Sequence, residues 1–234
     1  MNLGPFDYGV WIVSFLLEAF VVVCAFYRRA FLKYLSLNLY MICAALVTCG
    51  LYLCISIFGF TSPQYMYYYY YSDSILYVLM YFVIIQLYQQ VFQELHVSRY
   101  IQGAAALLLA ATALFSYLVV HQNQDHLTTR FVVELEQNLN FVGVVLVYLL
   151  WGAMLKLRET RTRLIQLVLA LGVYFSATAG IYALRNLFPG LELSLLRWLP
   201  PLLGTWLPFA WAYTFTKVPE DAHLTPARLA VKPR

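Results

Sequence analysis

Charge is what this sequence has least of. Charged residues make up 11% of its 234 positions, where a soluble domain carries about 25%. Such a chain cannot clothe a water-facing surface, so its apolar residues must fall in membrane-spanning runs. Histidine is nearly as scarce: His96, His121, His126 and His223 all lie in polar connections or the tail. Membrane-embedded zinc hydrolases of seven-helix type need His and Asp ligands inside the helices, and none is available. His121, Asp125 and His126 are the one grouping that suggests even a surface metal. Cys24, Cys43, Cys49 and Cys54 sit inside apolar stretches without a CxxC spacing, which argues against a zinc or disulfide framework. P-loop, dinucleotide and nucleophile-elbow motifs are absent. Neither an enzyme nor a resident metal or cofactor is expected. The last apolar run has no lysine before Lys217, so a covalent retinal is excluded.

What the sequence has is length in its apolar runs. Seven can span, at about 20 residues each: Tyr8–Tyr27, Tyr34–Phe58, Ser72–Phe92, Tyr100–Val120, Phe131–Leu155, Leu164–Leu187 and Trp198–Thr216. The expected fold is all-α, a polytopic seven-transmembrane helix bundle over residues 1–216, with a short polar tail at 217–234. Asp7 precedes the first run, Arg28 and Arg29 follow it, and no small-residue cleavage site appears, so that run is expected to stay as a helix. Arg28, Arg29, Lys33, Arg99, Lys156, Arg158, Arg161, Arg163 and Lys217 fall on one side of the bundle; only Arg130, Arg185 and Arg197 fall on the other. The positive-inside rule then places the N-terminus outside and the C-terminus in the cytoplasm, in a cytoplasmic (inner) membrane. Those basic residues lie in short loops beside apolar runs, so the pI near 8.8 reads as topology and not as a nucleic-acid surface.

The stretch Tyr67–Glu94 carries two polar stripes at 100° per residue. One holds Asp73, Tyr77, Tyr81 and Tyr88; the other holds Gln86, Gln90, Gln93 and Glu94. A lipid-facing helix would leave such groups unpaired, so the third helix is expected to be surrounded by others. The glutamines suit interhelical bonding, or else a polar path to the cytoplasm. The preceding tyrosines, in GFTSPQYMYYYYYSD, read as an outer loop and interfacial belt. A shift of 130 residues superposes Thr48, Gly50, Tyr52 and Phe58 on Thr178, Gly180, Tyr182 and Phe188. That suggests parallel three-helix repeats joined by the fourth helix, a plan found among transporters.

Glu18, near the middle of the first run, is the sharpest candidate site. A carboxylate at that depth must be protonated, bonded or facing water. A proton-coupled carrier would use one, whereas Gln86, Ser176 or Thr178 could hold it as structural glue. The second candidate is an outer cluster: Asp73, Glu134, Glu136, Asn138, Asn140, Tyr182 and Arg185, with Tyr77 and Tyr81 as aromatic walls. An aromatic pocket with a few polar anchors is the usual make-up of a small-molecule site, and carboxylates beside rings suit a cation. The plainer alternative is that Ser72 or Asp73 caps the third helix and that Glu134 and Glu136 enrich the first turns of the fifth.

The aromatic run, Ser and acidic residue at Tyr67–Asp73, the acidic polar start at Glu134–Asn138 and the basic loop after it resemble those of uncharacterised seven-helix integral membrane proteins of soil bacteria. That resemblance implies the seven-helix topology and no mechanism. The sequence therefore predicts a membrane protein that binds a small molecule in a cavity open to the periplasm, as sensor or carrier. The alternatives are a proton-coupled transporter using Glu18 and an accessory subunit of a larger membrane complex. Its expected partners are membrane lipid, the small molecule, and a cytoplasmic or membrane protein, the former docking on the basic loops.

Overall fold

The computed structural model describes residues 5–28, 30–93, 98–121, 127–187, 194–220 and 222–223. Its elements are α1 (Pro5–Tyr27), α2 (Leu35–Phe58), α3 (Pro63–Val91), α4 (Ser98–His121), α5 (Leu127–Lys156), α6 (Thr162–Leu187) and α7 (Ser194–Lys217). No strand occurs among the described residues; one isolated bridge joins Arg161 to His223. Six helices, α1 to α6, are long and apolar enough to cross a membrane. The chain is accordingly an all-helical, multi-pass bundle. α7, which runs through Pro200, Pro201 and Pro208, is not among those six. Large apolar side chains such as Leu16, Val23, Leu46, Ile57, Leu107 and Leu149 stand exposed on the outer faces. On a soluble monomer so much exposed apolar surface would aggregate; against lipid it is the ordinary case.

The helices close a ring in the order α1, α2, α3, α5, α6, α7, and α7 returns to α1. α4 lies outside this ring, against α3 and α5. The expected central role of α3 is thus corrected, since it forms one wall with α2, α4 and α5 as neighbours. Half of the spanning window of α6 is buried, against 44% for α3.

The start of α3 also differs from expectation. The tyrosine run is helical, because Ser62 takes the N-cap, its Oγ accepting from the Tyr65 N–H at 3.2 Å, and Pro63 opens the first turn. Gly59, at φ 82°, ends α2 by returning its N–H to the Ile55 carbonyl. α3 therefore begins nine residues before Ser72, and neither Ser72 nor Asp73 caps it. α5 likewise starts at Leu127, so Glu134 and Glu136 lie beyond its first turn.

Four members of the polar stripes of α3 are satisfied by neighbouring helices and turns of the chain. Tyr81 Oη donates to the Ala105 carbonyl of α4, and Tyr88 Oη to the Leu146 carbonyl of α5. Gln86 accepts from the Ser36 N–H at the start of α2, and Gln86 and Gln90 both donate to the Lys33 carbonyl. Glu94 lies outside the described residues. Replacing both glutamines by leucine should free the α1–α2 turn and cost about 1 kcal/mol for each lost contact. Thermal unfolding in detergent micelles measures that loss, and an unchanged midpoint would mean the turn holds itself.

A second clamp closes the same end. Arg163, 3% exposed, donates to the Val218 carbonyl from Nε and Nη2, and its Nη1 stands 3.5 Å from the Glu220 carboxylate. Lys33 pairs with that same carboxylate, and Arg28 donates to the Thr216 carbonyl. The Thr162 N–H donates to the Ala222 carbonyl, and Thr160 meets His223 Nδ1 at 3.1 Å. Arg161 pairs with Glu159 at 2.6 Å and also donates to the Gln90 carbonyl. Hydrogen bonding from Arg161 holds the Glu159 carboxyl below the usual carboxylate range. Its support of the loop is therefore present above the ordinary glutamate pKa and is lost as acidification passes the lowered one. Of Arg158, Arg161 and Arg163, the basic residues expected to dock a cytoplasmic partner, Arg161 and Arg163 are engaged inside the chain and Arg158 is exposed.

Candidate functional site

The two halves of the ring are built differently. Toward the C-terminal tail, Met80, Ile84, Leu150, Leu167, Trp211 and Phe215 belong to one continuous apolar core, each no more than 1% exposed. Toward the other end the helices part around a cavity of about 500 Å³, within the range of small-molecule sites. The division runs along each ring helix. α2 gives Leu37 and Met41 to the core but Thr48 and Leu51 to the cavity; α7 gives Trp211 and Phe215 to the core but Pro201 and Thr205 to the cavity.

Two carboxylates look into this cavity, Asp73 of α3 and Glu136 of α5. They lie close enough to feel each other's charge. Tyr182 of α6 donates its hydroxyl to Glu136, and Tyr77 is hydrogen-bonded to the same carboxylate. Asp73 makes no hydrogen bond among the described residues. Aromatic walls come from Trp11, Phe60, Tyr65, Tyr69, Tyr77 and Tyr174. Arg185 reaches the lining from an exposed position at the rim.

Of the residues singled out from the sequence, five line the cavity: Asp73, Tyr77, Glu136, Tyr182 and Arg185. Glu18 is 7% exposed and lies just beneath it. Its two oxygens stand 3.5 Å from the hydroxyls of Ser14 and Thr48, which do line the cavity. Those hydroxyls, not Gln86, Ser176 or Thr178, are its partners. Tyr81 and Gln86 face a separate groove between α2, α3 and α4. Asn138 donates to Ser116 Oγ of α4, and Glu134 is half-buried and outside the lining.

On α5 the sequence separates two faces, Glu134 with Asn138 and Glu136 with Asn140. The structure turns the second toward α6, where Thr178 donates to Asn140 Oδ1 at 3.1 Å. The signal for choosing between them was Gly143, seven residues after Glu136 and so on its face. Gly143 packs against the Phe175 ring of α6. A helix turns its small residues toward the neighbour it approaches most closely.

Comparison with known proteins returns no matching family model, no matching curated sequence and no matching solved structure.

Proposed function

We propose that this chain binds a small molecule in the cavity between α1, α2, α3, α5, α6 and α7, open to the periplasmic side of a bacterial inner membrane, with its N-terminus outside. The observation that carries this reading is the division of the ring: a polar, aromatic-walled cavity in one half and a dry core sealing the other. The excess of Lys and Arg at the sealed end supports its placement in the cytoplasm. The accessory-subunit alternative requires partner helices to satisfy the polar stripes of α3, whereas Tyr81, Gln86, Tyr88 and Gln90 find their partners within the chain and Asp73 faces the cavity. Native mass spectrometry of the gently solubilised protein tests the reading directly. A stoichiometric small molecule, lost in a Tyr182→Phe, Glu136→Gln double variant that still unfolds cooperatively, is the expected result. A bare chain carrying a second protein would favour the accessory role.

Transport is the second reading, and the order of the ring favours it. Exchanging α1, α2, α3 with α5, α6, α7 maps the ring onto itself by a half-turn and leaves α4 outside. Thr48 and Thr178, which the 130-residue shift superposes, both line the cavity, and each reaches the preceding helix of its own half, at Glu18 and at Asn140. Glu18 would then couple proton movement to the opening of the sealed half. Glu18→Gln should abolish pH-dependent uptake into vesicles while leaving ligand binding within a few-fold. Retained pH-dependent uptake would remove Glu18 from that role.

A further inference from the structure

We propose that the ligand of this cavity is an organic ammonium ion anchored on Asp73, a deepening that rests on the cavity being a small-molecule site.

Most hydrogen-bonding side chains of the lining are already committed. The hydroxyls of Ser14 and Thr48 are directed at Glu18. Thr178 shares its one hydroxyl hydrogen among Asn140 Oδ1 and the carbonyls of its own helix, and Thr205 donates to the Pro201 carbonyl. Tyr182 and Tyr77 serve Glu136. Arg185, at the rim, is already engaged. The donors left over are neutral ones, the Trp11 N–H and the hydroxyls of Tyr65, Tyr69 and Tyr174, and an anionic ligand would find no uncommitted cationic group beside them. A ligand that is itself a donor meets Asp73, a carboxylate on the lining that receives no hydrogen bond from the described residues.

Charge points the same way. Asp73 and Glu136 on the lining, with Glu18 beneath it, face the single cationic side chain of the described lining, Arg185. The walls add the rings of Tyr65, Tyr69 and Tyr174, and the face of such a ring attracts a cation within about 6 Å of its centroid. Tyr65 and Tyr69 stack at 6.3 Å between centroids, an aromatic strip on the same helix as Asp73 and one to two turns above it. Glu136, tied by two tyrosine hydroxyls, is better placed to shape the site than to grip the ligand.

The test uses three probes of like size and ring but different charge: phenethylammonium, 2-phenylethanol and phenylacetate. Each is titrated into the full chain in lipid nanodiscs, read by calorimetry and by quenching of tryptophan fluorescence. The expected order is phenethylammonium tighter than 2-phenylethanol by about tenfold or more, as a charge-assisted bond is worth against its neutral counterpart, with phenylacetate not binding. Asp73→Asn should erase the preference for the cation while leaving 2-phenylethanol within about threefold. Binding of the alcohol or the acid as tightly as the amine would overturn the ligand class and leave the cavity as a binding site. Binding of none of the three would overturn both. A cation preference that survives in folded Asp73→Asn would overturn the anchor alone.

Discussion

Arg163→Ala should loosen the tail-bearing end of the bundle more than any other single change there. The arginine is the only side chain of the described residues that holds both the Val218 carbonyl and the Glu220 carboxylate, and its guanidinium carbon also lies 5.6 Å from the centroid of the Phe215 ring. Removing it leaves a buried carbonyl without its donor and a gap against Phe215. The expected loss is about 2–3 kcal/mol, below the full range for breaking a buried ion pair because Glu220 is partly exposed. Glu220→Gln provides the contrast. It keeps the arginine and its carbonyl contact, so it should cost less than about 1 kcal/mol. Limited proteolysis after Thr216 reports release of the tail, and thermal unfolding reports the global loss. Equal effects from the two variants would mean that the ion pair, and not the carbonyl contact, does the holding.

Gly143→Leu is expected to be the most damaging substitution within the spans. Even a Cβ at this position would stand 2.4 Å from the Phe175 ring, and Phe175 is 2% exposed with nowhere to swing. Ala should therefore cost about 1–3 kcal/mol by overpacking, and Leu more. The strain would reach the cavity as well. Tyr174, the neighbour of Phe175 and in edge contact with it at 5.6 Å between centroids, is part of the cavity wall. Gly152→Ala on the same helix is the control, because its Cβ meets nothing within 4 Å. It should be neutral or stabilising by up to about 1 kcal/mol on helix propensity. If thermal unfolding shows both alanine variants to be alike, close approach of α5 to α6 is not what Gly143 provides.

Six of the seven expected spans were legible because a run of about 20 apolar residues has few alternatives in a chain so poor in charge, while the prolines of α7 lower its mean hydropathy. The start of α3 was missed for a local reason. Five consecutive tyrosines suit an interface as well as a helix, and the deciding signal was the Ser62–Pro63 pair ahead of them. Glu18 could be flagged from its depth, but its partners could not, since which helix faces it is a tertiary fact. Glu134 and Glu136 sit two residues apart on opposed faces, and periodicity alone does not say which face meets the bundle. Arg161 and Arg163 show the same limit. Their charge pointed correctly to one end of the bundle, while their bonds to Gln90 and Val218 depend on chain folded back from far away.

The position of Asp73 along α3 has an electrical consequence. Gln86 meets the α1–α2 turn; if that turn sits at one boundary of the hydrocarbon, a span of about 20 residues from there ends within the tyrosine run. Asp73 then lies about 10 Å inside the outer boundary at 1.5 Å per residue, roughly a third of the way across. In the orientation proposed above, a cation arriving from outside would traverse that fraction of the membrane field before reaching it. At about 2.3 kcal/mol per charge per 100 mV for a full crossing, an inside-negative potential would favour its occupancy by about 0.8 kcal/mol per 100 mV. Occupancy would thus rise about fourfold on energising the membrane, and the site would register the cell's energetic state together with the concentration outside.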